Sequence, residues 1–326
     1  MAAEPPSFRR ILLAFNPAAG PRRRDRTLLN AVAKFLSGAS VETCQVMLGA
    51  EGLGAIEHDI QTFDAVFICG GDGTINHALQ HLMARQCDVP VGVIPIGSGN
   101  LFAGSMGTPR NVVSAAKALL KGERRKVSVG TISRNGDAGI PRYWIAAAGV
   151  GADARVICGI KPRLKARFGA AAYYAESVRQ LCSPRLDLPL FRVEFTDRTG
   201  LRRSELVTQV IAERMAYFGN AVSRPAENLA DDELRLVLIK SPSRWVYLRF
   251  GASLVASQLQ LGSSAGSDVE VAIAKQVNCV PVSSCNGHAK DNVLAEVDGE
   301  LIGEAPVHLS VQPQAATVIV PSTRTN

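Results

Sequence analysis

The stretch DAVFICGGDGTIN, residues 64–76, decides the fold. Its first part, Asp64–Cys69, is a short apolar run with the pattern of a strand buried on both faces. Gly70-Gly71-Asp72-Gly73-Thr74 follows at once, and Ile75, Leu79 and Leu82 then share one face of a helix expected over Thr74–Met83. A glycine turn between a buried strand and a helix is the start of a parallel β-α unit. Glycines let the backbone approach a phosphate, and the helix N-terminus behind them offers unpaired N–H groups to an anion. Asp72 does not suit a phosphate contact, because like charges repel. It suits holding Mg²⁺ or taking a proton from an attacking hydroxyl. The plainer alternative is an ordinary βα turn with Thr74 as N-cap.

Outward from this stretch the same grammar repeats. On the N-terminal side, Arg10–Asn16 reads as a buried strand stopped by Pro17, Asp25–Leu36 as a helix, Ser40–Met47 as a strand and Ala50–Gln61 as a helix. On the C-terminal side, the strand Val91–Pro95 runs into PIGSGN, residues 95–100, and the helix Val112–Lys121 follows. Gly97, Ser98, Gly99 and Asn100 thus form a second glycine loop at a strand end, and parallel sheets bind ligands at such ends. NPAAG, residues 16–20, closes the first strand in the same way, so Asn16 and Gly20 join Gly70, Gly71, Gly73 and Thr74 as candidate nucleotide contacts. A Walker P-loop is excluded, since no GxxxxGK[ST] occurs.

Beyond residue 125 the pattern changes to strands joined by polar and glycine-rich turns: Lys126–Ile132, Tyr143–Ala148, Phe191–Thr196, Leu206–Ala212, Leu234–Ile239, Val269–Ala274, Val293–Val297, Val307–Val311 and Thr317–Val320, with one helix near Ala170–Leu181. The expected architecture is therefore two-domain α/β plus β. A Rossmann-like parallel α/β nucleotide domain spans residues 1–126 and an antiparallel β domain spans 127–311. With 326 residues and 47% hydrophobic content there is material for two cores. The seven cysteines are odd in number and scattered without a CxxC, which argues for buried reduced thiols over disulfides or zinc. No apolar run is long enough to cross a bilayer, and the expected location is cytoplasmic. A net charge of +7 points to an acidic partner: nucleotide, nucleic acid or anionic membrane.

NPAAG, GGDGTIN and PIGSGN, in this order, resemble the catalytic domain of diacylglycerol, sphingosine and ceramide kinases, a superfamily that includes bacterial lipid kinases and, more distantly, NAD kinases. Val297-Asp298-Gly299-Glu300 is similar to the family's DGE element and Val318–Pro321 to its closing strand. The resemblance implies ATP between an N-terminal nucleotide domain and a C-terminal β-sandwich, with residues 312–326 returning to the first domain. It implies Mg²⁺, Asp72 as base or metal-linked carboxylate, and Glu300 as a second carboxylate binding Mg²⁺ or aiding deprotonation. It further implies a structural Mg²⁺ held by Asp232 and the carbonyls of Leu229 and Leu234, although Glu233 stands where the family usually has glycine.

Asp153, in GVGAD, is similar to the sphingosine kinase position that recognises the lipid head, and a carboxylate there leans toward a cationic amino alcohol over neutral diacylglycerol. The implied activity is ATP-dependent phosphorylation of a lipid hydroxyl. An NAD kinase-type soluble enzyme and a non-catalytic nucleotide- or lipid-binding module are the alternatives. The basic stretch Lys161–Arg167 suits an anionic membrane surface, so the expected association is peripheral. No nucleic-acid motif is present, and the sequence leaves room for a homodimer.

Overall fold

In the computed structural model, which describes residues 8–19, 26–49, 52–53, 59–97, 99–134, 141–160, 170–183, 188–214, 231–258, 267–282 and 292–322, two compact units form. One comprises the described residues of Met1–Ser128, Arg224–Asp231 and Pro313–Asn326, the other those of Val129–Ser223 and Asp232–Gln312.

The first unit is a parallel sheet. Strands β1 (Arg10–Phe15), β2 (Glu42–Met47), β3 (Ala65–Gly70) and β4 (Val91–Pro95) lie in the order β2-β1-β3-β4. The last residues of β15 (Val307–Val320) add a further parallel neighbour, Val318 opposite Val91. Every residue of β3 and β4 is buried, as a strand covered on both faces requires. Helices α1 (Arg26–Gly38), α2 (Asp72–Ala84), α3 (Leu101–Ser105) and α4 (Val112–Leu120) complete the layers, with Leu13, Phe15, Leu36, Phe67, Leu119 and Ile319 in one apolar core. Asn111 caps α4 by accepting the N–H groups of Val113 and Ser114. The helix expected over Ala50–Gln61 lies largely outside the described residues, and its last part is a 3-10 turn, Ile60–Thr62, capped by Asp59. The helix after GGDGT begins at Asp72 with Gly71 as N-cap, not at Thr74.

The second unit is antiparallel. It holds the last part of β5 (Glu123–Arg134), the first part of β15, β6 (Arg142–Trp144), β7 (Ala147–Gly151), β8 (Phe191–Asp197), β9 (Arg202–Val207), β10 (Gln209–Glu213), β11 (Leu234–Ile239), β12 (Val269–Pro281), β13 (Leu294–Val297) and β14 (Glu300–Glu304). The main run is β14-β13-β7-β10-β11-β12, and β8 pairs with β12 and β9. Alternation builds two layers from this run. Ala148, Val150, Val210, Ala212, Leu236 and Leu238 point into the sandwich core with Trp144, Phe191 and Phe195. Ala147, Ile211 and Val237 point the other way. Helices α5 (Ala152–Gly159), α6 (Ala170–Leu181) and α7 (Arg244–Gln258) also belong to this unit, and Phe250 of α7 covers that second face.

Several sequence expectations need correcting here. Tyr143–Ala148 is two strands, broken between Trp144 and Ala147. Leu206–Ala212 is also two, with Thr208 between them turned inward onto the Ile239 and Ser241 carbonyls. Val307–Val311 and Thr317–Val320 are one strand, which begins in the second unit and ends in the first. Helices α5 and α7 were not foreseen. In α7, Val246, Tyr247 and Phe250 are covered while Trp245 and Leu248 are exposed, so apolar residues mark no single stripe.

Candidate active site

Three loops meet at the C-terminal ends of β1, β3 and β4. Asn16 donates through Nδ2 to the Thr74 hydroxyl at 2.7 Å, and its Oδ1 accepts the Ala18 N–H at 2.8 Å. The NPAAG loop is thereby tied to the first turn of α2. Gly71 and Gly97 bring their backbones together: a Cβ added to Gly97 would lie 2.5 Å from the Gly71 Cα. No larger residue fits without moving one loop. Asn100 holds the second loop in shape, with Oδ1 accepting the Gly97 N–H at 2.9 Å and Nδ2 donating to the Gly97 carbonyl at 2.6 Å. Its own φ is 54°, a left-handed geometry that asparagine tolerates. A Cβ on Gly73 would meet only open space, and α2 has no side-chain cap, so its first turn faces outward. Gly20 and Ser98 lie outside the described residues.

Asp72 joins two of these loops. Its Oδ1 accepts the Phe102 N–H at 2.9 Å, so the carboxylate caps α3. Its Oδ2 lies on the side of Gly99, 3.1 Å from where a Cβ there would stand. Burial raises its pKa above the usual carboxylate value, and backbone N–H groups of Phe102, Leu101 and Asn100 pull the other way. A half-buried carboxylate with raised affinity for a proton has the property a general base needs.

In the second unit the carboxylates form a different arrangement. Glu296, 3% exposed on β13, stands opposite Gly149 of β7. Asp153, in the first turn of α5, hydrogen-bonds to it. Both acids lie over Gly149, where a Cβ would be 2.5 Å from Asp153 Oδ2 and 2.8 Å from Glu296 Oε1. The Glu296 Oε2 accepts the Gly299 N–H at 2.8 Å. A half-buried Asp153 and a buried Glu296 in hydrogen-bond contact share a proton, and desolvation holds both above their ordinary range. Asp298 and Gly299, with φ of 48° and 82°, form the tight turn between β13 and β14. Asp298 accepts the N–H groups of Ile145, Ala146 and Ala147 at 2.9, 2.8 and 3.1 Å. Glu300 opens β14 in an ion pair with Arg142. Glu296, Asp298 and Arg142 were missed as site residues. A usable signal was present for Glu296, one carboxylate inside the apolar run VLAEV, residues 293–297.

The expected metal element is different. Asp232 is exposed and bonds Lys275 Nζ at 2.6 Å, Glu233 pairs with Arg198, and Leu234 is a buried β11 residue. Leu229 lies outside the described residues. Among the described residues the carboxylate of this element therefore meets an ammonium. No three His, Cys, Asp or Glu side chains gather as a metal site among the described residues. The thiols are also less uniform than expected. Cys69 and Cys279 are buried, with pKa values pushed up to about 12, but Cys158 and Cys182 are exposed.

Comparison with known proteins agrees with this layout. Residues 10–132 match the diacylglycerol kinase catalytic domain, and residues 146–320 match the YegS C-terminal NAD kinase beta sandwich-like domain. A diacylglycerol kinase of Bacillus subtilis (strain 168) is 26% identical over 246 residues, covering 74% of this chain and 77% of that protein. One from Staphylococcus aureus (strain MRSA252) is 25% identical over 235 residues, covering 71% of each. Among solved structures, a diacylglycerol kinase from Bacillus anthracis str. Sterne superposes with a TM-score of 0.68 at 18% identity, over 97% of this chain and 98% of that one. A second structure from the same organism reaches a TM-score of 0.74 at 20% identity, over 99% and 98% of the two chains. With a kinase catalytic domain followed by a sandwich that alone spans more than half its length, the chain belongs to the diacylglycerol kinase-type family of ATP-dependent lipid kinases.

Proposed function

We propose that the chain transfers the γ-phosphoryl group of ATP to the free hydroxyl of a neutral glycerolipid of the diacylglycerol type. The observation that carries the chemistry is Asp72: one half-buried carboxylate, aligned by the Phe102 N–H, between glycine loops that no side chain fills. The uncapped first turn of α2, beside the close approach of Gly71 and Gly97, binds the phosphates through its N–H groups. Asp72 takes the proton as the lipid oxygen attacks the γ-phosphorus and the bond to the ADP oxygen breaks. Glu300 is held in an ion pair with Arg142, which makes it the weaker candidate for that proton.

Mg²⁺ fits this site only as an ion carried on the nucleotide. It keeps several waters and needs one or two carboxylates beside the phosphates, and among the described residues of these loops Asp72 is the carboxylate. When bound it neutralises phosphate charge.

Substrate choice rests on the Asp153–Glu296 pair. With its one proton held in the hydrogen bond between the two acids, the pair presents acceptor oxygens, which a hydroxyl satisfies as donor. The relatives named above are diacylglycerol kinases, which supports the same choice. The test is transfer from radiolabelled ATP in mixed micelles of diacylglycerol, monoacylglycerol, sphingosine or ceramide, with NAD⁺ alongside. Label in diacylglycerol, absent with Asp72→Asn, is expected. Label in sphingosine alone would reverse the head-group assignment, and label in NAD⁺ alone would remove the lipid from the reaction.

A further inference from the structure

Helix α7 presents a different surface on each side. Inward, Val246 and Tyr247 pack with Ala152 of α5 and Ile239 of β11, and Tyr247 shares a hydrogen bond of 2.8 Å with the Thr208 hydroxyl. Ala152 is the residue before Asp153, so this side of α7 covers the helix that carries Asp153 of the shared-proton pair. Outward, Trp245 is 75% and Leu248 39% exposed, and Arg244 and Arg249 are exposed beside them. Arg244 with Leu248, and Trp245 with Arg249, are i,i+4 neighbours, so the four make one patch. The helix RWVYLRFGASLVASQ contains no acidic residue, and neither guanidinium meets a carboxylate among the described residues. Helix α6 lies alongside: its Leu181 packs into the inner cluster, and one turn back Val178 is 56% exposed.

An outward tryptophan and leucine, flanked by arginines and free of acids, have the make-up of a helix lying in the headgroup layer of a bilayer. Charge decides between occupants. A second copy seated face to face on this patch would set arginine against arginine, because a two-fold contact repeats the same surface. An anionic lipid surface meets both arginines with opposite charge.

We propose that α7 docks the enzyme on anionic membrane, with Trp245 and Leu248 entering the boundary between headgroups and acyl chains and Arg244 and Arg249 on the headgroup phosphates. This rests on the lipid-kinase reading and deepens it. The docking side and the side packed on the Asp153 helix are separated by the width of one helix, about 10 Å, so docking brings the head-group pair to the source of its substrate.

Only two tryptophans are present, and Trp144 is fully buried, so intrinsic fluorescence reports Trp245 selectively. With phosphatidylglycerol vesicles, emission is expected to move to shorter wavelength and the protein to co-sediment. High salt should reverse both effects, and phosphatidylcholine vesicles should produce neither. Trp245→Ala should weaken vesicle binding roughly tenfold or more, and each of Arg244→Gln and Arg249→Gln about fivefold. All three variants should phosphorylate a water-soluble short-chain diacylglycerol at the wild-type rate. Unmoved emission, or wild-type vesicle binding by Trp245→Ala, overturns the proposal. An emission shift that depends on protein concentration without vesicles, with a dimer on sedimentation, overturns it in favour of a second copy. Vesicle binding that needs Trp245, in a protein that phosphorylates no lipid, would leave the docking face standing and remove the enzymatic reading.

Discussion

Asp72 in the first unit and Asp153 in the second are both half-buried aspartates near a helix start, and desolvation raises the pKa of each. Their partners separate them. Asp72 is met by backbone N–H groups, which favour the anion and oppose the effect of burial. Asp153 is met by another carboxyl, and two such groups cannot both ionise cheaply in one buried place. The first arrangement leaves a carboxylate ready to accept a proton. The second keeps a proton in place, held in the hydrogen bond between the two acids. The identity of the neighbour, more than depth of burial, sets what a buried acid does.

This comparison breaks first at Asp72. Asp72→Asn keeps the shape and an acceptor for the Phe102 N–H but removes the base, and kcat should fall by about 10² or more with the fold intact. Unchanged turnover, with circular dichroism like the wild type, would assign the proton to another group. Gly97→Ala tests the loops that flank it. Its methyl would stand 2.5 Å from the Gly71 Cα, so the loops must part. Misplacement on the order of 1 Å costs up to about 10²-fold in rate, which should appear in kcat/KM for ATP. Full activity in this variant would mean the two backbones need no close contact.

On the second unit, Gly149→Ala inserts a methyl between Asp153 Oδ2 and Glu296 Oε1, with 2.5 and 2.8 Å available. Overpacking of this kind costs about 1–3 kcal/mol, measurable as a lower denaturant midpoint, and lipid KM should rise while ATP KM holds. A stable variant with normal lipid KM would show that the pair does not sit tightly over this glycine.

The sequence made the first unit far more legible than the second. Strands such as VFIC and VGVIP are apolar throughout because both faces are covered, and their ends are marked by glycine and asparagine. The glycine loops proposed to hold phosphate there are contiguous words, so Asn16, Asp72 and Asn100 could be read off, and the structure brings their loops together. In the second unit the comparable group is assembled from α5, β7 and β13, more than 140 residues apart along the chain between Asp153 and Glu296. Glu296 therefore looked like an ordinary residue ahead of the DGE element. Helix α7 stayed hidden for a related reason: its outward face is apolar as well, and periodicity reads only contrast.

The smallest and most specific effect belongs to Glu296→Gln. Gln can still accept the Gly299 N–H, and its amide can donate to Asp153 in place of the shared proton. In the wild type the folded pair binds its proton more tightly than the unfolded chain does, since its pKa values lie above the ordinary 3.8 and 4.5. Such a pair contributes its full stability below those values and loses it as pH rises through the folded ones. The other charges that face the pair, Asp298 beside Glu296 and Tyr247 near Asp153, are unchanged by the substitution. Asp72 has a raised pKa too, but it contributes the same slope to both proteins, so subtracting one profile from the other isolates the pair. The difference in Tm, variant minus wild type, should therefore grow from pH 4 to pH 8 in favour of Gln. Parallel profiles would mean that Asp153 and Glu296 do not share a proton, and Asp153 would then return to being a lone carboxylate suited to a cationic head group.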